Sequence, residues 1–193
     1  MPRTLVEERT APAGDPARHL GIEALERLWE QLPAAPTDRG RVVALCVRPD
    51  RNRRAFPDGV RLTCDVGMPG DRWSRADAPE PSMQLATMQA SIADLIANCQ
   101  GIEMFGDNLY LDLDLSSANL PTGSRLRVGS ATLEVTGEPH NGCVKFKERF
   151  GKDALRFVAR KETREHNLRG IYLKVVEDGD VSVGDPVEVL SRT

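Results

Sequence analysis

The segment Pro139-His140-Asn141-Gly142-Cys143-Val144-Lys145-Phe146, running on to Arg149-Phe150-Gly151, holds the residue types best suited to chemistry in this chain. It sets a cysteine in a glycine-containing turn, with His140 three positions before it and Lys145 two after. A thiolate is a soft metal ligand and a nucleophile, and neighbouring cationic groups favour the deprotonated form that does either job. Cysteine is equally a small hydrophobe that proteins bury. On its own the segment favours a buried turn thiol over a reactive one, so the surrounding elements have to decide.

The other thiols are Cys46, Cys64 and Cys99, and no C-x-x-C pair occurs, which leaves zinc-ribbon and thioredoxin-type readings without support. Free thiols are expected in a reducing compartment. Cys46 and Cys64 stand in strand-like apolar contexts and Cys99 on a helical apolar stripe, so all three read as core. Cys143 differs, with glycine, asparagine, histidine and lysine around it.

Apolar periodicity supplies the scaffold. Residues 1–18, rich in Pro, Arg and Glu, read as a flexible tail, and 19–193 as a single domain. Ile22, Leu25, Leu28/Trp29 and Leu32 predict a helix over His19–Leu32 that stops at Pro33. Arg41–Val47 and Val60–Val66 read as strands. Leu85, Met88, Ile92, Leu95/Ile96 and Cys99 share one helical face, which predicts a helix over Ser82–Cys99 with Ser82 as N-cap and Gly101 past its end. The pattern then changes to period two: Leu109, Leu111, Leu113 and Leu115 alternate with Tyr110, Asp112 and Asp114, the mark of a half-buried strand. Asp112 and Asp114 read as its solvated face rather than as a catalytic carboxylate pair. Arg125–Val128, Gly129-Ser130 and Ala131–Thr136 form a hairpin on a glycine-first turn. Gly170–Val176 and Pro186–Leu190 add two more strands. Short strands punctuated by glycine turns predict a barrel or sandwich rather than a parallel α/β sheet.

The chain has 193 residues, enough for one domain with a real core. A formal net charge of -3 argues against non-specific binding of nucleic acid. The longest aliphatic run, Val42–Val47, is far too short to cross a bilayer. Met1–Gly14 has no apolar stretch of the secretory kind, so the expected compartment is the cytoplasm.

Read in order, several blocks resemble the MOSC domain, named for the C-terminal domain of molybdenum cofactor sulfurases. They are Gly67-Met68-Pro69-Gly70-Asp71-Arg72-Trp73, Gly106-Asp107-Asn108-Leu109, Leu120-Pro121-Thr122-Gly123 through Gly129, the Cys143 segment with Arg149-Phe150-Gly151, and Arg169-Gly170-Ile171-Tyr172 through Gly184-Asp185. The resemblance spans roughly Arg41–Val189 and is similar to the small stand-alone bacterial members. It implies a mostly β fold, a closed antiparallel β-barrel with two or three peripheral helices. It also implies a functional cysteine at Cys143, which either ligates the molybdenum of a bound pyranopterin (molybdopterin) or carries sulfur as a persulfide.

On that resemblance Cys143 and His140 are the expected catalytic pair, with Cys143 the metal ligand. Gly70, Asp71, Arg72, Asn108, Lys145 and Arg169 are the expected cofactor contacts. The chemistry agrees: a soft thiolate suits molybdenum, and a pterin phosphate needs fixed cations and backbone donors. Each residue has a plainer alternative: Arg72 pairing with Asp71, His140 bonding within its turn, Asn108 capping one. Two activities stay open: reduction of N-oxygenated small molecules as a molybdenum enzyme, or sulfur carriage and cofactor delivery without turnover. No flavin, iron–sulfur or haem motif is present, so electrons or sulfur would come from a separate protein.

Overall fold

The computed structural model describes residues 8–192. In chain order its elements are β1 (Arg9–Thr10), α1 (Ile22–Glu30), β2 (Arg39–Leu45), β3 (Arg53–Arg54), β4 (Gly59–Leu62), β5 (Leu85–Gln89), α2 (Ala90–Ala97) and β6 (Leu109–Asp112). Then follow β7 (Arg125–Val128), β8 (Ala131–Val135), α3 (Val144–Ala159), β9 (Ile171–Glu177), β10 (Gly179–Ser182) and β11 (Pro186–Ser191). Seven strands close into a barrel in the order β11-β2-β6-β5-β9-β8-β7. The mostly β fold, the closed barrel and the three outer helices match the expectation.

The barrel is mixed rather than purely antiparallel, because β5 and β6 run parallel, with Thr87 opposite Leu109 and Gln89 opposite Leu111. Parallel neighbours need a crossover connection, and α2 with the loop behind it supplies one. This also overturns the predicted Ser82–Cys99 helix. Its first part is a 3-10 turn at Pro81–Met83 followed by β5, and only Ala90–Ala97 is α-helical. Leu85 and Met88 misled the periodicity because β5 is buried on both faces, Leu85 in the barrel interior and Met88 against the helices. A strand covered on both sides carries no alternation to tell it from a helix.

Two apolar clusters result. Leu45, Leu85, Leu109, Leu111, Leu126, Leu133 and Leu173 fill the barrel. Outside it, Leu25 of α1, Ile92 and Ile96 of α2, and Phe146, Phe150 and Phe157 of α3 pack with Met88, Phe105 and Tyr110. Strand β6 is therefore not half-solvated: Tyr110 is fully buried in the outer cluster, with its hydroxyl accepting from the Asp107 N–H at 3.2 Å. Full burial of a phenylalanine such as Phe157 is worth roughly 1.5–3 kcal/mol, so these rings hold α3 to the barrel wall.

Helix α3, with Phe146, Phe150, Ala154 and Phe157 buried on one face, was not read as a helix from the sequence, which offered only a turn around Cys143. It kinks at Gly151, whose φ of 89° is in the left-handed region, and His19 packs on the kink with Nε2 3.0 Å from the Arg149 carbonyl oxygen. Of the expected tail, positions 1–7 lie outside the described residues; Arg9–Thr10 pairs with Arg53–Arg54, and Asp15 caps the 3-10 turn Pro16–Arg18.

Candidate functional site

One cleft of about 350 Å³ opens where the end of β2, the loop before β6, the start of β9 and the start of α3 converge. Four sequence-expected site residues besides Cys143 line it: His140, Arg72, Lys145 and Arg169. So do Arg48, Arg51, Arg54, Asp107, Arg149 and Tyr172, none of which the sequence reading assigned a role. The density of arginine over residues 48–54 was the available signal. The floor is aromatic, with the Phe105 and Phe150 rings stacked at 4.3 Å and Phe146 beside them at 4.9 Å from Phe150.

Gly70, Asp71 and Asn108 do not line the cleft; they build its wall. Asp71 is buried and receives Arg48 through Nε at 2.8 Å and Nη2 at 2.9 Å, a bidentate pair that fixes the guanidinium. Burial pushes the Asp71 pKa up, but the hydrogen bonds and charge of Arg48 outweigh it and hold the group below the ordinary carboxylate value. Asp71 thus serves Arg48, not Arg72, whose side chain makes no hydrogen bond or ion pair among the described residues. Asn108 is a staple between three segments: its Oδ1 accepts from the Ala86 N–H at 3.1 Å, and its Nδ2 donates to the Cys46 carbonyl and to Asp71 Oδ2. Gly70, with φ of 84°, turns the loop that carries Asp71.

Asp107 organises the deeper half. It is fully buried and accepts from Arg169 Nη1 at 2.8 and 3.0 Å, while His140 Nε2 lies 3.4 Å from Oδ1. The Arg169 guanidinium also lies 5.3 Å from the Phe146 ring centroid. Burial raises the Asp107 pKa, and the charge and hydrogen bonds of Arg169 outweigh it, so the carboxylate stays ionised. His140 is neutral: burial, with the Arg169 charge, pushes its pKa down to about 3 against the pull of Asp107. Its Nδ1 and the Nε of Arg169 are buried without a hydrogen-bond partner among the described residues. Gly170 makes this packing possible, since a Cβ there would sit 2.1 Å from the Thr87 carbonyl oxygen and 3.2 Å from His140 Nδ1.

Cys143 stands at the N-cap position of α3 and is exposed at the cleft. Cys46 is buried as expected, but Cys64 and Cys99 are exposed, which corrects their assignment to the core. Strand β4 ends at Leu62 and α2 at Ala97, so both cysteines fall in turns just past the elements that were to bury them. The reactivity order changes accordingly. Burial pushes the Cys46 pKa up to about 12, and Cys64 is raised by desolvation and its hydrogen bond with Asp178. With limiting iodoacetamide on the folded protein, peptide mapping should find Cys143 alkylated ahead of Cys64, and Cys46 only after denaturation. Labelling of Cys46 in the native state would mean the β2 end opens readily.

The chain belongs to the MOSC domain family, which it matches over residues 80–188, more than half of its length. That span includes Asp107, His140, Cys143, Lys145, Arg149 and Arg169, whereas Arg48, Arg51, Arg54 and Arg72 precede it. The uncharacterized protein YflK of Bacillus subtilis (strain 168) is 32% identical over 88 residues, which cover 46% of this chain and 37% of that protein. The match thus spans little more than a third of that relative's length. The fold is shared with the crystal structure of YuaD from Bacillus subtilis, at a TM-score of 0.58 and 22% identity over 78% of this chain and 95% of that one. It is shared too with YiiM from Geobacillus stearothermophilus, at 0.54 and 15% over 79% and 76%. No helix among the described residues is long and apolar enough to cross a membrane.

Proposed function

We propose that the cleft binds a molybdenum-bearing pyranopterin and that the protein reduces N-oxygenated small molecules with electrons from a separate redox protein. The observation that carries this reading is the lining: an exposed thiol ringed by Arg48, Arg51, Arg54, Arg72, Lys145, Arg149 and Arg169, with Asp107 the single carboxylate. So basic a cleft in a chain of net charge -3 calls for an anionic ligand, and a soft thiol suits a soft metal.

The residues present fit the group. The cleft volume is in the range that holds a cofactor-sized molecule, and the cations suit its phosphate. Among the described residues no three His, Cys, Asp or Glu side chains gather as a metal site, so Cys143 would be a single protein ligand to a metal whose other donors come with the cofactor. When bound, the cofactor would supply two-electron oxygen-transfer chemistry. The chain's own contribution is positional. Asp107 holds Arg169 in place, stacked aromatic rings floor the cleft, and His140 lies with Nε2 3.4 Å from Asp107 and with Nδ1 without a hydrogen-bond partner among the described residues. Reduction of an N-hydroxyl compound to the amine takes two electrons and two protons and releases water.

The test is metal analysis of protein made in a molybdenum-replete host, for the parent and for Cys143→Ser. Near-stoichiometric molybdenum in the parent and its loss in the folded variant are expected, because a serine oxygen is harder and far less acidic than sulfur. Equal metal content in the two would end the role of Cys143. A persulfide on Cys143 by intact mass, with no molybdenum, would put a sulfur carrier in its place.

A further inference from the structure

The cations of the cleft outnumber what one phosphate can balance. Arg48 is neutralised by Asp71 and Arg169 by Asp107, which leaves five cationic side chains without a carboxylate: Arg51, Arg54, Arg72, Lys145 and Arg149. A phosphate monoester carries about -1.5 to -2 at neutral pH and so offsets at most two of them.

These five fall into two groups. On the floor, Arg54 is only 6% exposed, and its Nε donates to the Phe105 carbonyl at 3.2 Å. Beside it Arg149 donates to the adjacent Met104 carbonyl at 2.9 Å. A buried guanidinium with carbonyl partners alone is costly unless a ligand completes its charge balance. At the rim, Lys145 Nζ donates to the Arg51 carbonyl and to Asn52 Oδ1, while the Arg51 and Arg72 guanidiniums make no hydrogen bond or ion pair among the described residues. Burial and the neighbouring charges of Arg48, Arg54 and Arg51 lower the Arg72 pKa, so the like charges lie close enough to repel. Arg51, Arg54 and Arg72 all precede the span matched to the family, so this wall is contributed by a part of the chain outside it.

We propose that the cleft is built for a ligand carrying two linked phosphates, a pyrophosphate group of the nucleoside-diphosphate or dinucleotide kind. Arg54 and Arg149 hold one phosphate; Arg51, Arg72 and Lys145 hold the other. This rests on reading the cleft as the ligand site and says what that ligand must contain.

Calorimetric titration of the full chain with inorganic pyrophosphate and with inorganic phosphate, at matched ionic strength, tests it. Pyrophosphate should bind at least about tenfold more tightly, the factor expected from one further set of charge-assisted hydrogen bonds. The double variant Arg51→Ala/Arg72→Ala, at exposed positions, should erase that preference, bringing pyrophosphate affinity down to that of phosphate. Arg149→Ala should weaken both anions. Equal affinity for the two anions in the parent, or an undiminished preference in the double variant, overturns the proposal. Titrating ADP into protein with and without bound molybdenum then separates the sources. Blocking by the metal-loaded state assigns the pyrophosphate to the cofactor, and undiminished binding assigns it to the substrate. Pyrophosphate preference in a protein that never takes up molybdenum would sustain this proposal while the pyranopterin reading fails. Molybdenum uptake without the preference would do the reverse.

Discussion

Asp107→Ala should destabilise the folded protein by about 3–5 kcal/mol, read as a fall in the urea midpoint with little change in slope. Asp107 is fully buried, both of its oxygens accept from Arg169 Nη1, and His140 Nε2 lies 3.4 Å from Oδ1. Its removal strands a mostly buried guanidinium with no counter-charge, and leaving a charge unpaired costs far more than an intact pair contributes. The charge argument separates from the loss of packing in the double variant Asp107→Leu/Arg169→Met. With both charges gone and the volume roughly kept, much of the lost stability should return. A loss below about 1 kcal/mol in Asp107→Ala, the size seen for exposed pairs, would mean that water reaches Arg169 and the cleft floor is open. The carboxylate's own pH dependence lies far on the acid side. Its folded pKa is depressed, so the stability it contributes is present above the ordinary carboxylate value and is lost as pH falls through the folded one.

Acidification well above that range should act through His140. Its folded pKa is pushed down to about 3, chiefly by burial and then by Arg169, with Asp107 opposing and Arg48 adding to the shift. The sign follows from linkage. Below the ordinary histidine value the unfolded chain binds a proton that the folded chain refuses, so stability declines as pH falls and is complete only above it. The slope approaches about 1.4 kcal/mol per pH unit, and taking the protein to about pH 5 should cost about 2 kcal/mol through this one residue. His19 and His166 are present in parent and variant alike, so the difference between the parent and His140→Gln isolates the contribution. Urea midpoints measured across that pH range should converge on the acid side, the variant losing less than the parent. Curves that stay parallel would show that His140 is not held neutral.

Much of this fold could be read locally. The Gly129-Ser130 turn joins β7 and β8 as expected, with Gly129 at a φ of 58°, because a tight hairpin turn is decided by residues adjacent in sequence. The strand at β6 was visible in its alternating leucines, although the solvated face assigned to Tyr110 is covered by the outer helices. What failed were the places where a distant element decides. Strand β5 read as a helix because its second face is covered by residues far from it in sequence, and Cys64 and Cys99 read as core because each lies just beyond the element meant to bury it.

The candidate site divides the same way. Cys143, His140 and Lys145 were legible because one turn and the start of one helix carry all three. By itself the sequence determined that a thiol stands among polar and cationic residues at this turn, and that short strands with leucines on one face would form a barrel or a sandwich. Only the tertiary structure decided that Asp71 would fix Arg48 rather than Arg72, that Asn108 would tie strands together, and that Asp107 would anchor both Arg169 and His140. The reason is physical: which cation a buried carboxylate pairs with is settled by proximity after the barrel closes, and no spacing along the chain encodes that proximity. Arg48, Arg51, Arg54 and Arg72 share one cleft with Arg149 and Arg169 because β2, β9 and α3 are brought to one end of a closed barrel.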